Sequence, residues 1–116
     1  MTVTRQAIAD ALTAAGLTGR PTQPPSIGAG DAWPVWRSTQ WANATPGGPR
    51  PRAWYVMVAL PNGSPDVTVA EGDAQVELVG DALWMAGLRV VTVEPWRIAV
   101  TDNAEGVPVL RYTVDD

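Results

Sequence analysis

The sequence predicts an α+β fold, a four-stranded, mostly antiparallel sheet with two helices packed on it. Three observations predict it. Segments 4–15 and 69–86 carry apolar residues at spacings of three and four, and both run into the tripeptide Ala-Gly-Leu. Segments 32–41, 52–60, 89–100 and 107–114 are rich in Val, Trp, Tyr and Ile, the residues that suit a pleated surface. Pro- and Gly-rich stretches separate these segments, so the order reads helix, strand, strand, helix, strand, strand. With 116 residues, 46% of them apolar, the chain has the length of one domain, 1–116, and enough apolar mass for one core.

The first helix opens on Thr4 as N-cap, with Val3 and Ile8 placed as a hydrophobic staple around it. Ile8, Ala11, Leu12 and Ala15 form its apolar stripe. Gly16 ends it, and Leu17 is positioned to fold back onto Leu12. Residues 18–31 read as a loop, because Pro21, Pro24, Pro25, Gly28 and Gly30 exclude regular structure. Gly28-Ala29-Gly30 lacks the further glycine and the following helix that a phosphate-binding loop requires.

In the first strand, 32–41, Trp33, Val35 and Arg37 share one face and Trp36 and Ser38 the other; Pro34 restricts it to an edge or a bulge. A long Pro/Gly connector, 42–51, follows, and reads either as a floppy hairpin loop or as a loop that orders only against a partner. The 52–60 strand, Arg-Ala-Trp-Tyr-Val-Met-Val-Ala-Leu, is apolar on both faces, which predicts a central strand covered on both sides. Pro61-Asn62-Gly63-Ser64-Pro65 then supplies turn chemistry. Asn43 and Asn62 begin formal glycosylation sequons, which carry no meaning without a secretion signal.

The second helix, 69–86, reads as opening on a capping box of Thr68 and Glu71, with Val76, Val79, Leu83 and Ala86 as its core stripe. Gly87 and Leu88 repeat the ending of the first helix. The last two strands form a hairpin linked by 102–106, and Pro95 and Pro108 again mark edges or bulges.

The composition excludes much chemistry. Cys, His and Lys are all absent, and the eight basic residues are all Arg. There is no disulfide, no thiolate or imidazole metal ligand, no histidine base and no Schiff-base or phosphate-loop lysine. The remaining acid/base candidates are Glu71, Asp73, Glu77 and Asp81, which fall opposite the apolar stripe of the second helix and read as its solvated face. No enzyme activity and no cofactor are expected. The net charge of −4 argues against general attraction to nucleic acid. No run of 18 apolar residues suits a membrane span, and the first residues lack a basic leader, so neither secretion nor membrane insertion is expected. Six Trp and no Phe leave two readings open, Trp filling the core in place of Phe or large amphipathic rings at contact surfaces.

Three stretches together resemble the tail terminator (tail-to-head joining) proteins of long-tailed bacteriophages. They are the short helix ending Ala-Ala-Gly-Leu with the Pro-rich loop after it (7–30), the Trp-bearing strand, connector and central strand (32–61), and the acidic helix with the last hairpin (72–114). The resemblance lies in lengths and breaks over nearly the whole chain, not in a motif. It implies a structural subunit of a homo-oligomeric ring, typically a hexamer, that ends the tail tube, meets the head-side connector and lets DNA pass without binding it specifically. It implies assembly in the host cytoplasm and residence in the virion. Residues expected at subunit or partner contacts are Trp41, Asn43, Arg50 and Arg52 in and beside the connector, with Arg97 and Arg111 on the last two strands. Two other readings stay open. One is a different neck, head-closure or minor tail subunit. The other is a monomeric ligand- or protein-binding module with a pocket lined by Trp33, Trp36 or Trp41.

Overall fold

A computed structural model describes residues 3–39, 52–61, 65–100 and 103–115. The elements run α1 (Arg5–Ala14), β1 (Thr18–Gly19), β2 (Asp31–Thr39), β3 (Arg52–Ala59), α2 (Pro65–Met85), β4 (Arg89–Val100) and β5 (Asn103–Asp115).

The start of α1 and the ends of both helices form for the local reasons their sequences suggest. Thr4 is extended (φ −98°, ψ 162°), and its hydroxyl accepts the Ala7 N–H at 3.1 Å, which satisfies one donor of the first turn. At the other end, Gly16 takes φ 94°. Its N–H donates to the Thr13 carbonyl at 3.0 Å, and the Leu17 N–H donates to Leu12 at 3.1 Å. The end of α2 repeats this bond for bond: Gly87 has φ 91°, and Gly87 and Leu88 donate to Trp84 and Leu83, both at 3.0 Å. These are Schellman ends. Each throws a leucine back onto the core, Leu88 fully buried and Leu17 packed at the margin.

β5 begins at Asn103, so residues 103–106, expected in the hairpin link, belong to the strand, and two further features differ from expectation. α2 begins at Pro65, not at residue 69. Proline at a first helical position loses no hydrogen bond and already holds a helical φ, so Pro65 starts the helix where turn chemistry was read. Thr68 therefore lies inside the helix and not at its cap, and Glu71 accepts from the Gln75 amide at 3.0 Å. The second difference is a fifth strand. Thr18 and Gly19 pair parallel with Asp31 and Ala32, through Thr18 N–H to Gly30 and Arg20 N–H to Ala32 (2.9 and 2.8 Å). The prolines that break regular structure begin only at Pro21, which leaves these two residues free to pair. The sheet is thus five-stranded and mixed, in the order β1-β2-β3-β5-β4, with β2 to β5 antiparallel throughout.

The helices lie on one face of this sheet. Ile8 and Leu12 of α1 and Val79 and Leu83 of α2 pack with Trp54, Val56 and Val58 of β3 and Leu110, Tyr112 and Val114 of β5. Fully burying each large apolar side chain contributes roughly 2 kcal/mol. β3 is central, as its two apolar faces predicted. On its other face Met57 and Ala59 join Trp33 and Val109 in a second cluster, with Ile27, Val35, Tyr55, Ile98 and Val107 at the margin. The turn before β2 is pinned by Asp31, which is buried, accepts the Gly28 N–H at 2.8 Å and pairs with Arg20 at 3.3 Å.

Tyr112 gives the fold a pH limit. Its ring is buried, its hydroxyl donates to the Gln75 carbonyl at 3.0 Å, and burial pushes the phenol above its ordinary value. A raised folded-state pKa means that this stability is intact below the unfolded phenol's pKa and declines once the unfolded chain ionises. Stability is expected to fall by up to about 1.4 kcal/mol per pH unit from near pH 10 upward. Urea titrations at pH 9 to 11 check this; Tyr112→Phe should lower stability at pH 8 by about 1 kcal/mol yet flatten the alkaline decline.

Candidate functional site

The prolines of the strands fall at edges, as predicted for two of the three. β1 covers β2 only as far as Ala32, so Pro34 sits where β2 has no outer strand among the described residues, and its carbonyl accepts from the Arg5 guanidinium at 3.2 Å instead. Pro95 lies on β4, the edge strand on the other side. Pro108 differs: it is on β5, an inner strand, and fits because the β3–β5 ladder has ended one residue away, at Ala59–Val109. Pro34, beyond the reach of the two-residue edge strand β1, and Pro95 on the edge strand β4 cannot donate to an added strand, and β4 also bulges between Val90 and Thr92, with Val91 turned to solvent. Interrupted edges resist pairing with another chain. Contact by edge pairing, which an open sheet would otherwise invite, is disfavoured on both sides, and the candidate surfaces are built from side chains.

The first such surface is an arm. β4 and β5 continue past the end of β3 through Arg97–Pro108, Ile98–Val107 and Val100–Asn103. At the base of the arm Trp96 is 47% exposed and lies with Arg97, Pro95, Pro108, Val109 and Leu60 around a shallow depression. Trp96 is held from behind. The Arg111 guanidinium stacks on its ring at 3.8 Å and on the Tyr55 ring at 4.7 Å, and it forms an ion pair with Glu94, its direct partner across the β4–β5 ladder. Arg37 reaches over the other side of Tyr55, at 5.6 Å. This Arg–aromatic row runs over the helix-free face of the sheet and fixes the indole's orientation.

The second surface is a groove between the helices. α1 presents Ala11, Ala14 and Ala15, and these small side chains leave a space of about 470 Å³ against Leu78, Ala82 and Met85 of α2, with Asp81 at its rim. Met85 is 84% exposed, and Trp84 beside it 67%. These are large apolar groups on the side of α2 away from its buried stripe, where a solvated helix face would be polar. Asp73, Glu77 and Asp81 follow each other at four-residue spacing on the exposed side and form no ion pair among the described residues.

Of the residues expected at contacts, Trp41, Asn43 and Arg50 lie outside the described residues. Arg52 is half-buried at the start of β3, its guanidinium 5.9 Å from the Trp54 ring centroid, near the Arg89–Asp115 ion pair that borders the same end of the sheet. Arg97 is exposed on the arm, at the opposite end. Arg111 is mostly enclosed by Glu94, Tyr55 and Trp96, so it positions Trp96. Trp33 and Trp36 do not line one pocket: Trp33 is fully buried in the helix-free face, whereas Trp36 pairs with Trp54 across the ladder, is 53% exposed, and donates its indole N–H to Thr39 at 3.0 Å. The groove residues Leu78 and Met85, and the exposed Trp84 beside them, were missed from sequence, although their apolar character off the core stripe was there to see.

Among the described residues no three of His, Cys, Asp and Glu lie close enough to hold a metal ion, and no helix is long and apolar enough to cross a membrane. No protein-family model matches the chain, and no curated protein or solved structure matches it.

Proposed function

We propose that this chain is a structural, ring-forming subunit of a bacteriophage tail, a tail terminator that ends the tail tube and joins it to the head-side connector. The observation that carries this reading is the presence of two unlike apolar contact surfaces, the arm with Trp96 and the α1–α2 groove, at different places on one small domain. A subunit with one self-complementary patch makes a closed dimer. A subunit with two different patches associates head to tail, and such contacts close into a ring when the rotation between copies allows it. The interrupted sheet edges support the same reading, since they favour contact of defined geometry over open-ended strand addition. The acidic balance suits a ring through which DNA passes without being held. The order of elements supports the tail-end role specifically, through the likeness in lengths and breaks described above.

The test is polymerisation of the tail tube protein of the same phage with and without this chain. The expected result is tubes that stop growing and carry extra density at one end by electron microscopy. Tubes that grow unaltered with bare ends would refute the terminator role. Binding to a head-side connector protein with no effect on the tube would move the assignment to another neck subunit.

A further inference from the structure

We infer that copies of this chain join side to side by opposite charge. The β2 edge of one copy, flanked by Arg5 and Arg37, docks on the outer face of α2 of the next, at Asp73, Glu77 and Asp81. The inference rests on the ring reading and specifies which sides meet. Three observations lead to it.

The first is how charge is divided along the chain. Residues 1–60 hold five Arg against two acidic residues, a net charge of +3. Residues 61–116 hold three Arg against ten acidic residues, a net charge of −7. The second is that the fold keeps this division in space. The first half builds α1, β1, β2 and β3, the second builds α2, β4 and β5, and the sheet order β1-β2-β3-β5-β4 does not interleave them. α1 packs on β1 and β2, and α2 packs on β4 and β5. One side of the domain is therefore basic and the other acidic. Two copies attract when unlike sides face each other and repel when like sides do.

The third is that the charges at these two surfaces are not cancelled within the subunit. Arg20, Arg89 and Arg111 pair with Asp31, Asp115 and Glu94. Arg5, Arg37, Asp73, Glu77 and Asp81 are exposed and form no ion pair among the described residues. Arg5 flanks β2 on the helix side. Its Nη1 donates to the Pro34 and Pro21 carbonyls at 3.2 and 3.5 Å, and the guanidinium lies 5.2 Å from the Trp54 ring centroid. That fixes the group and leaves its other nitrogens to donate to a carboxylate. α1 has no acidic residue in its first turn, so the positive end of the helix adds to the charge of Arg5. Arg37 flanks β2 on the helix-free side, over Tyr55. Both lie along the part of β2 that β1 does not cover. On α2 the three acids rise over eight residues, roughly 12 Å, which spans the two flanks of an edge one strand thick. The two surfaces lie on different sides of the domain, so each contact leaves one of each free for the next copy, and the association runs head to tail.

The chain contains no cysteine, so engineered cysteines that leave every charge in place report the contact directly. Full-length chains carrying Ser38→Cys or Ala74→Cys, mixed in equal amounts and treated with a short bis-maleimide, are expected to give a covalent dimer. Either chain by itself is expected to remain monomer-sized on a denaturing gel, and a chain carrying both substitutions is expected to give a ladder. A thermal melt close to that of the parent shows that the variants are folded. In sedimentation, Arg37→Glu or Glu77→Arg alone should weaken association about tenfold, and the two in one chain should restore it. A covalent dimer from either single-cysteine chain by itself would mean that like sides meet, and would overturn the charge match. If the parent chain sediments as an oligomer while the mixed chains give no dimer, this contact is wrong and the ring reading stands. If the parent chain stays monomeric at every concentration and the mixed chains give no dimer, the contact is also overturned, and the tube experiment decides the ring reading separately.

Discussion

Val56→Asp is expected to abolish cooperative folding. Val56 is fully buried in the central strand, opposite Pro34 of β2 and Tyr112 of β5, with α1 and α2 above it. A carboxylate there would sit in the apolar cluster that buries Val56 completely. Placing it costs on the order of 4 kcal/mol or more, against a total stability of roughly 5–15 kcal/mol for a domain of this kind. Far-ultraviolet circular dichroism and urea titration at pH 7 check this. A surviving cooperative transition with near-parent midpoint would show that β3 is not the strand on which the core is built.

Gly19→Ala is expected to destabilise the domain by about 3 kcal/mol, an effect of overpacking against backbone. A Cβ at this position would lie 2.0 Å from the Ala9 carbonyl oxygen and 2.7 Å from the Thr13 hydroxyl. That hydroxyl donates to Ala9 and accepts the Gly19 N–H, which ties α1 to β1. The helix must move off the sheet edge to admit the methyl group, and it drags Ile8 and Leu12 out of register with the core. The melting temperature should fall by roughly 10 °C. Gly80→Ala is the matched control: it sits in α2 with nothing within 4 Å of its Cβ position, and there the same substitution is expected to stabilise by about 0.5–1 kcal/mol. Equal effects at the two sites would contradict the close approach of α1 and β1.

The contrast between these glycines also shows what the sequence could reveal. The two Ala-Gly-Leu helix ends were legible because a Schellman end is written in consecutive residues: a glycine able to take positive φ, and a leucine next to it with an apolar core to reach. The central place of β3 was legible because both of its faces are apolar. β1 was not, since two residues carry no periodicity and Gly19 pairs only because its missing side chain lets the strand approach α1. The start of α2 was misread because proline serves turns and first helical positions equally well, and only the chain that follows decides between them.

The candidate surfaces divide in the same way. Six tryptophans without phenylalanine left core filling and contact surfaces both open, and the structure divides them: Trp33 and Trp54 fill the core, while Trp36, Trp84 and Trp96 are about half exposed or more. Arg111 was expected at a subunit or partner contact; within the subunit the hairpin register sets it against Glu94 and beside two aromatic rings, and register is a property of paired strands. The groove needed both helices in place before Ala11 and Ala15 could be seen as the floor of a space and not as part of a core stripe.

The central claim, that copies of this chain form a closed ring, is tested most directly by the mass of the purified protein in solution. Light scattering should be recorded on the chain alone and after mixing with tail tube protein. The account predicts one discrete multimer, typically of six copies, either from the outset or once the tube is present. A mass that stays monomeric under both conditions, or an open series of masses growing with concentration, would contradict it.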